Sequence, residues 1–188
     1  MMNITLLAKK GGVGKSTVCI LLYEACRQAG KTVSIHDWDT QGTSTKALEL
    51  FGAQMPPAGR KADIIIWDTP PNLDHIATAT AVRNADIALA VTSPAPADIW
   101  EAEEAVLFVQ SRNAQATARL VFNKVRKATV LGRLVDESAK QVSVPSLPVM
   151  LSDRECYKHS IAQGWKALDH AAREEVLQFT VALLALKS

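Results

Sequence analysis

Cysteine is scarce in this 188-residue chain: Cys19, Cys26 and Cys156 are its three, and no Cys-x-x-Cys occurs. Three thiols cannot all pair, and Cys19 and Cys26 sit seven apart on what reads as one helix. An iron–sulfur cluster or a structural zinc is therefore not expected, and free thiols in a reducing compartment are. The four histidines, His36, His75, His159 and His170, have no metal-ligand spacing. Long apolar runs are missing too. No stretch approaches 18 uninterrupted apolar residues, and residues 1–8 lack a basic flank before their apolar run, so neither a membrane span nor a signal peptide is expected. The protein is expected to be made and kept inside the cell.

What remains is the composition of a folded globular protein, with 48% hydrophobic and 21% charged residues. The length suits one compact domain, residues 1–188, and no linker divides it. The net charge of +2 is unevenly spread. Residues 1–112 hold 10 Lys and Arg against 12 Asp and Glu, whereas residues 113–188 hold 11 against 7. The carboxyl-terminal part is the side on which an anionic partner would sit.

Short apolar runs alternate with longer amphipathic segments, the pattern of βαβ units that build a parallel sheet covered on both faces. The runs are 4–8, 32–36, 62–67, 87–92 and 119–122, with a weak sixth at 147–150. The expected fold class is α/β, a mostly parallel sheet with helices on both faces. Residues 16–29 place Val18, Cys19, Leu22, Ala25 and Cys26 on one helical face, before Gly30 ends the helix. Residues 98–110 put Ile99, Ala102, Val106 and Val109 inward and open with acidic residues that suit the helix dipole. Thr129 can cap another helix, and two more are expected at about 154–163 and 170–186. The one clear run of turn formers is 52–60, and little structure is expected between the second strand and the third.

Lys9-Lys10-Gly11-Gly12-Val13-Gly14-Lys15-Ser16-Thr17 follows a strand and opens a helix. In that context glycines let backbone N–H groups converge on phosphate oxygens at the positive end of a helix. Lys15 supplies a point charge for the β and γ phosphates, and the Ser16 hydroxyl can bind Mg²⁺. Average residue usage would produce such a run by chance in about one chain of this length in 10⁴ to 10⁵. A second segment, Asp37-Trp38-Asp39-Thr40-Gln41, ends a strand, where a carboxylate points into the ligand crevice of a parallel sheet; a helix cap is the alternative for Asp39. A third, Ile64-Ile65-Ile66-Trp67-Asp68-Thr69-Pro70-Pro71, is a buried strand ending in one carboxylate. Such an oxygen ligand suits a cation that keeps several waters, and Asp68 is the candidate for Mg²⁺, directly or through water.

Lysine stands at position 9, where the usual phosphate loop has glycine, and Lys10 directly precedes the glycine pair. This resembles the deviant Walker A loop of the ParA/MinD ATPases, and the Asp39 and Asp68 segments resemble that family's two switch regions, with Thr40 in place of a proline. The resemblance implies ATP and Mg²⁺ as cofactors, with Gly11 to Thr17 holding the nucleotide and Lys10 reaching across a homodimer to the partner's nucleotide. It implies that Asp39 orients the attacking water. Asn123, in Phe122-Asn123-Lys124 at a strand end, resembles the adenine-reading residue of some relatives; a turn-forming asparagine is the alternative.

The resemblance leaves several branches. A ParA-like positioning ATPase would form an ATP-dependent dimer, bind non-specific DNA, and release it when a ParB-like or other cargo adaptor stimulates hydrolysis. Candidate phosphate contacts are Lys124, Arg126, Lys127, Arg133, Arg154 and Lys158. The cargo would be a plasmid, a chromosome locus or a protein assembly such as a carboxysome, and the location cytoplasmic and nucleoid-associated. The chain begins at its first strand, so an amino-terminal DNA-reading domain is not expected. The alternative, a MinD-like membrane switch, wants a terminal helix with apolar and basic faces. The last helix offers Val176, Phe179, Leu183 and Leu186, but Glu174, Glu175 and Gln178 on its polar side, which reads as a helix docked on the core. Iron-protein relatives would need other cysteines. Kinase relatives would need a tyrosine-rich tail, and only Tyr23 and Tyr157 are present.

Overall fold

The computed structural model describes residues 1–53 and 61–187, so most of the 52–60 turn run, residues 54–60, lies outside the described residues. Five strands form one parallel sheet in the order β2-β3-β1-β4-β5. They are β1 (Met2–Leu7), β2 (Val33–Asp37), β3 (Ile64–Asp68), β4 (Ile87–Thr92) and β5 (Thr117–Phe122). The helices are α1 (Lys15–Gln28), α2 (Thr43–Leu50), α3 (Ile76–Arg83), α4 (Pro96–Arg112), α5 (Val130–Gln141), α6 (Glu155–Gln163) and α7 (His170–Leu184), with a 3-10 turn after each of the last two. The doubly covered α/β sheet expected from the sequence is the one observed.

Alternate residues of each strand serve opposite faces. Ile4, Leu6, Ile35 and Ile66 join Val18, Cys19, Leu22, Phe179 and Leu183 under α1, α6 and α7. Leu7, Ala88, Ala90 and Leu120 join Val82, Ala102, Val106 and Val109 under α3 and α4. Cys19 and Cys26 are fully buried, and burial pushes the Cys26 thiol up to about 12, so both act as small core residues. Truncating a side chain such as Leu22, which is wholly enclosed, costs about 2–5 kcal/mol in cores of this kind.

Two expectations need correction. The weak sixth run, 147–150, forms no strand: the chain meets the sheet only through isolated parallel bridges on either side of it, Leu120 with Ser146 and Val125 with Ser152, and Pro145 has no N–H to extend a ladder. The connection between β2 and β3 is not bare, since α2 occupies it and buries Ser44 and Ala47. A further helix, α3, stands where no element was expected. Thr129 caps α5 as read, accepting from the Gly132 N–H. Only Val135 and Gly132 of that helix reach the interior, however, and Val130, Leu131 and Leu134 stay 41–61% exposed.

Strand order positions the chemistry. From β1 the chain turns through α1 to β2 at one edge, while from β3 it passes over β1 to β4 on the other side. The connections therefore diverge above β1, leaving a crevice at the carboxyl ends of β1, β2 and β3. In register there, Asp37 lies beside Asp68 and Asp68 beside Leu6.

Candidate nucleotide site

The loop from Lys9 to Gly14 spans the gap between β1 and α1. Gly14 caps α1 with φ +91 and no side chain closes that end, so the first amides of α1 face the crevice with their partial positive charge. A side chain at Gly14 has no room, because an added Cβ would lie 2.3 Å from the Asn123 amide nitrogen. At Gly11 and Gly12 an added Cβ would meet nothing within 4 Å, so the space over them is open for a ligand. Lys10, Gly11, Gly12, Val13, Lys15, Ser16, Thr17, Asp39, Gln41 and Pro71 border a cleft of about 170 Å³.

Lys15, 6% exposed, points into the base of the cleft. Its Nζ lies 3.0 Å from Asp68 Oδ1 and 3.7 Å from Asp39 Oδ2. Asp68 is fully buried, and its other oxygen accepts from the Ser44 hydroxyl at 2.6 Å. A buried charge persists only when paired and hydrogen-bonded, and this cluster meets both conditions. Ser44 has no counterpart in the motifs; its signal was only a hydroxyl residue shortly after the Asp39 segment. Asp39 does not cap α2 by a side-chain bond, as Gly42 occupies that position; its Oδ1 accepts from the Gln41 N–H at 3.0 Å. Asp37 supports from behind, accepting from the Asp39 and Thr45 N–H groups. Trp38 is fixed by its N–H donating to the Asp68 carbonyl and by a ring contact to Trp67, 4.6 Å between centroids at 73°.

Lys10 turns sideways onto α4, ion-paired with Asp98 and 3.7 Å from Glu101. Lys9 does the same with Glu104 at 2.6 Å. The hydrogen bond to Asp98 raises the Lys10 pKa. Burial alone would lift the Asp98 carboxyl, but hydrogen bonds from Lys10 and Ser93 outweigh it and hold it below the ordinary carboxylate value.

Asn123 and Lys124 also meet the loop. The Asn123 amide donates to the Val13 carbonyl at 2.9 Å, and Lys124 Nζ to the Gly12 carbonyl at 2.5 Å. Lys124 therefore stands apart from the other basic candidates. Arg126 and Lys158 share Asp153, at 2.5 and 3.8 Å, and Lys127 and Arg133 border an adjoining cavity of about 540 Å³ with Ser152. Arg154 is drawn to Glu175 at 3.4 Å. The site's oxygen donors, the Ser16 hydroxyl and the Asp68 carboxylate, fit a hydrated Mg²⁺ beside phosphates. No group of three or more His, Cys, Asp or Glu side chains among the described residues could hold a metal by itself. No helix among the described residues is long and apolar enough to cross a membrane.

Comparison with known proteins gives the family and the fold. Residues 4–164 match the CobQ/CobB/MinD/ParA nucleotide binding domain. The chain is 22% identical over 184 residues to the maintenance of carboxysome distribution protein A of Halothiobacillus neapolitanus, covering 87% of this chain and 85% of that protein. Among solved structures, an ATP complex of a Cyanothece McdA variant superposes with a TM-score of 0.78 at 12% identity, covering 100% of this chain and 98% of the other. The MinD cell division protein of Aquifex aeolicus gives 0.77 at 16% identity, over 98% and 97% of the two chains. These two likenesses concern the fold alone. The family match runs from β1 through α6 and so takes in the phosphate loop, both carboxylate strand ends and Asn123; by it the chain belongs to the CobQ/CobB/MinD/ParA nucleotide-binding family, as a ParA/MinD-like ATPase.

Proposed function

We propose that residues 1–188 act as one Mg²⁺-dependent ATPase domain that dimerises face to face on ATP, holds non-specific DNA in that state, and positions a cargo. The observation that carries the nucleotide part is the meeting of Lys15, Asp68 and Asp39 beneath the uncapped start of α1. With phosphates bound, Lys15 exchanges its carboxylate partners for the β and γ oxygens, and the loop amides of Gly11 to Thr17 cradle the chain of phosphates. Ser16 and Asp68 would hold Mg²⁺, with Ser44 keeping the second oxygen of Asp68. The ion supplies charge neutralisation at the transferred phosphoryl group. Asp39, supported by Asp37, orients and accepts a proton from the attacking water. Lys10 leaves Asp98 and reaches the partner's nucleotide, completing a site that one copy cannot complete alone.

Arg126, Lys127, Arg133 and Lys158 form the DNA-facing patch, and such contacts neutralise phosphates without reading sequence. The name of the Halothiobacillus relative, maintenance of carboxysome distribution, favours a large protein assembly as the cargo, reached through an adaptor that stimulates hydrolysis. The membrane alternative is the weaker one. Val176, Phe179 and Leu183 of α7 are buried against the core, and although Leu177 and Val181 stay exposed, the polar residues beside them are Glu174 and Gln178, not the basic face that a membrane surface would attract.

Three measurements test this reading. Lys15→Ala abolishes ATP binding, and unchanged affinity removes the nucleotide site. Asp39→Ala binds ATP but hydrolyses it at least tenfold more slowly and accumulates as a DNA-bound dimer; rapid turnover in that variant removes the assignment of Asp39. Wild-type protein retards unrelated duplex DNA with ATP and not with ADP, and the retention weakens steeply with salt. Hydrolysis without DNA retention in any nucleotide state overturns the positioning reading.

A further inference from the structure

Lys124 is the one non-glycine residue with a positive φ, +58, among the described residues. Lysine has no intrinsic liking for the left-handed region, which costs a non-glycine residue about 1–2 kcal/mol, so the surrounding structure must impose it. The imposition is visible on both sides. The Asn123 N–H donates to the Thr92 carbonyl at 2.8 Å and the Val125 N–H to the Leu151 carbonyl at 3.1 Å, pinning the residues that flank Lys124. The effect of the turn is to throw the Lys124 side chain back over the phosphate loop. Its Cε would lie 3.5 Å from a Cβ built on Gly14, and its Nζ reaches the Gly12 carbonyl. Asn123, 4% exposed, takes the next carbonyl, that of Val13.

Two consecutive peptide groups of the loop are thus held by their oxygens from the end of β5. A peptide is planar, so fixing its carbonyl fixes the direction of the N–H on its opposite edge. We propose that Lys124 is a positioning residue for the nucleotide, and that with Asn123 it braces the Gly12–Val13 and Val13–Gly14 peptides with their N–H groups turned toward the phosphates. Preorganised donors bind tightly because the ligand need not order them. Lys124 here serves the phosphate loop and not DNA, which separates it from Arg126, Lys127, Arg133 and Lys158. The left-handed φ is the cost of that service, because a relaxed backbone at 124 would direct the side chain elsewhere.

The inference rests on the reading of the loop as a nucleotide site, and opposing effects of one substitution test it. Lys124→Gly removes the ammonium group and relieves the left-handed strain at once. ADP is the probe, because titrating it by calorimetry avoids both hydrolysis and ATP-driven dimerisation. Lys124→Gly raises the ADP Kd about tenfold, the effect of one charge-assisted hydrogen bond, while the melting temperature of the nucleotide-free protein stays the same or rises. Lys124→Arg, which keeps the charge and reach, restores at least part of the affinity. An unchanged ADP Kd in Lys124→Gly overturns the proposal, and so does a loss of affinity accompanied by an equal loss of nucleotide-free stability. Lys15→Ala separates the two readings: if it leaves ADP binding intact, the nucleotide site itself is wrong, whereas if it abolishes binding and Lys124→Gly does nothing, only the brace is wrong. Retention of DNA by Lys124→Gly at saturating ATP equals that of wild type, and a deficit there would return Lys124 to the DNA-facing group.

Discussion

Lys10, the lysine that precedes the glycine pair, is ion-paired within its own chain to Asp98 in the first turn of α4. A residue proposed to serve a neighbour's nucleotide is therefore held by a local competitor, with Glu101 3.7 Å away as a second one. Asp98→Asn weakens that hold. It lowers the ATP concentration for half-maximal dimerisation a few-fold, as expected for an exposed pair, and sedimentation across an ATP series measures it. In Lys10→Ala the advantage disappears. A gain that survives Lys10→Ala would mean that Asp98 acts through something other than Lys10.

Acid stability should fail in two stages. Burial lowers the His36 pKa below its ordinary 6.5, so on unfolding this imidazole gains a proton in that window and stability falls as pH drops through it. The carboxyls of Asp98, Glu103 and Asp153 are instead held below their ordinary values by hydrogen bonds. Their contribution is complete above about pH 5.5 and is lost progressively as pH falls through and below their ordinary values. Melting temperature is then flat from pH 7 to 8, declines below about 6.5, and declines again near 4. His36→Gln removes the first decline and leaves the second; an unchanged profile in that variant would exonerate His36.

Gly14 and Asn123 should be strongly coupled. With φ +91 and only 2.3 Å to the Asn123 amide nitrogen, Gly14→Ala is strained in backbone and side chain together. It lowers stability by about 2 kcal/mol or more and abolishes nucleotide binding. Asn123→Ala opens space, so the double variant loses less stability than the two single losses combined. Denaturant melts of the four proteins check this, and strict additivity would show that the contact is not what excludes a side chain at 14.

Trp38 lies between Asp37 and Asp39 and packs edge-on against Trp67, which also touches His36 at 4.5 Å. If the Asp39 segment moves when nucleotide binds, the indole of Trp38 changes its surroundings. Tryptophan emission then shifts on adding ATP with Mg²⁺, and Trp38→Phe removes most of that shift while Trp100→Phe, on exposed α4 surface, does not. An ATP response carried wholly by Trp100 would place the movement on α4.

Ser44 holds the second oxygen of the buried Asp68. Ser44→Ala leaves a buried carboxylate oxygen short of one donor and lowers nucleotide-free stability by about 1–3 kcal/mol. Saturating ATP with Mg²⁺ recovers part of the loss, because the ion replaces the missing donor. A thermal shift series with and without nucleotide reads both effects.

The amino-acid sequence by itself determined the layered α/β architecture, since strand runs and helical periodicity are local, and burial on both sheet faces forces apolar runs. It also determined the strand–loop–helix around Gly11 to Ser16, whose parts are contiguous. The strand-end carboxylates Asp39 and Asp68 were legible for the same reason. Helices α2 and α3 were not, because at eight residues each they are too short to carry a periodic signal and depend on packing through Ala47, Thr78, Ala81 and Val82. Nor was the fate of α5. Gly132 lies so close to Arg126 that an added Cβ would meet the Arg126 carbonyl at 1.9 Å, and of Val130, Leu131, Leu134 and Val135 only Val135 turns inward. Tertiary structure alone decided which charges meet. Lys15 finds Asp68 53 residues away, and Lys124 finds Gly12 112 residues away, because the order β2-β3-β1-β4-β5 brings the ends of distant strands to one edge. No local pattern encodes such pairs; they arise when burial fixes the sheet order and the remaining polar groups must find partners across it.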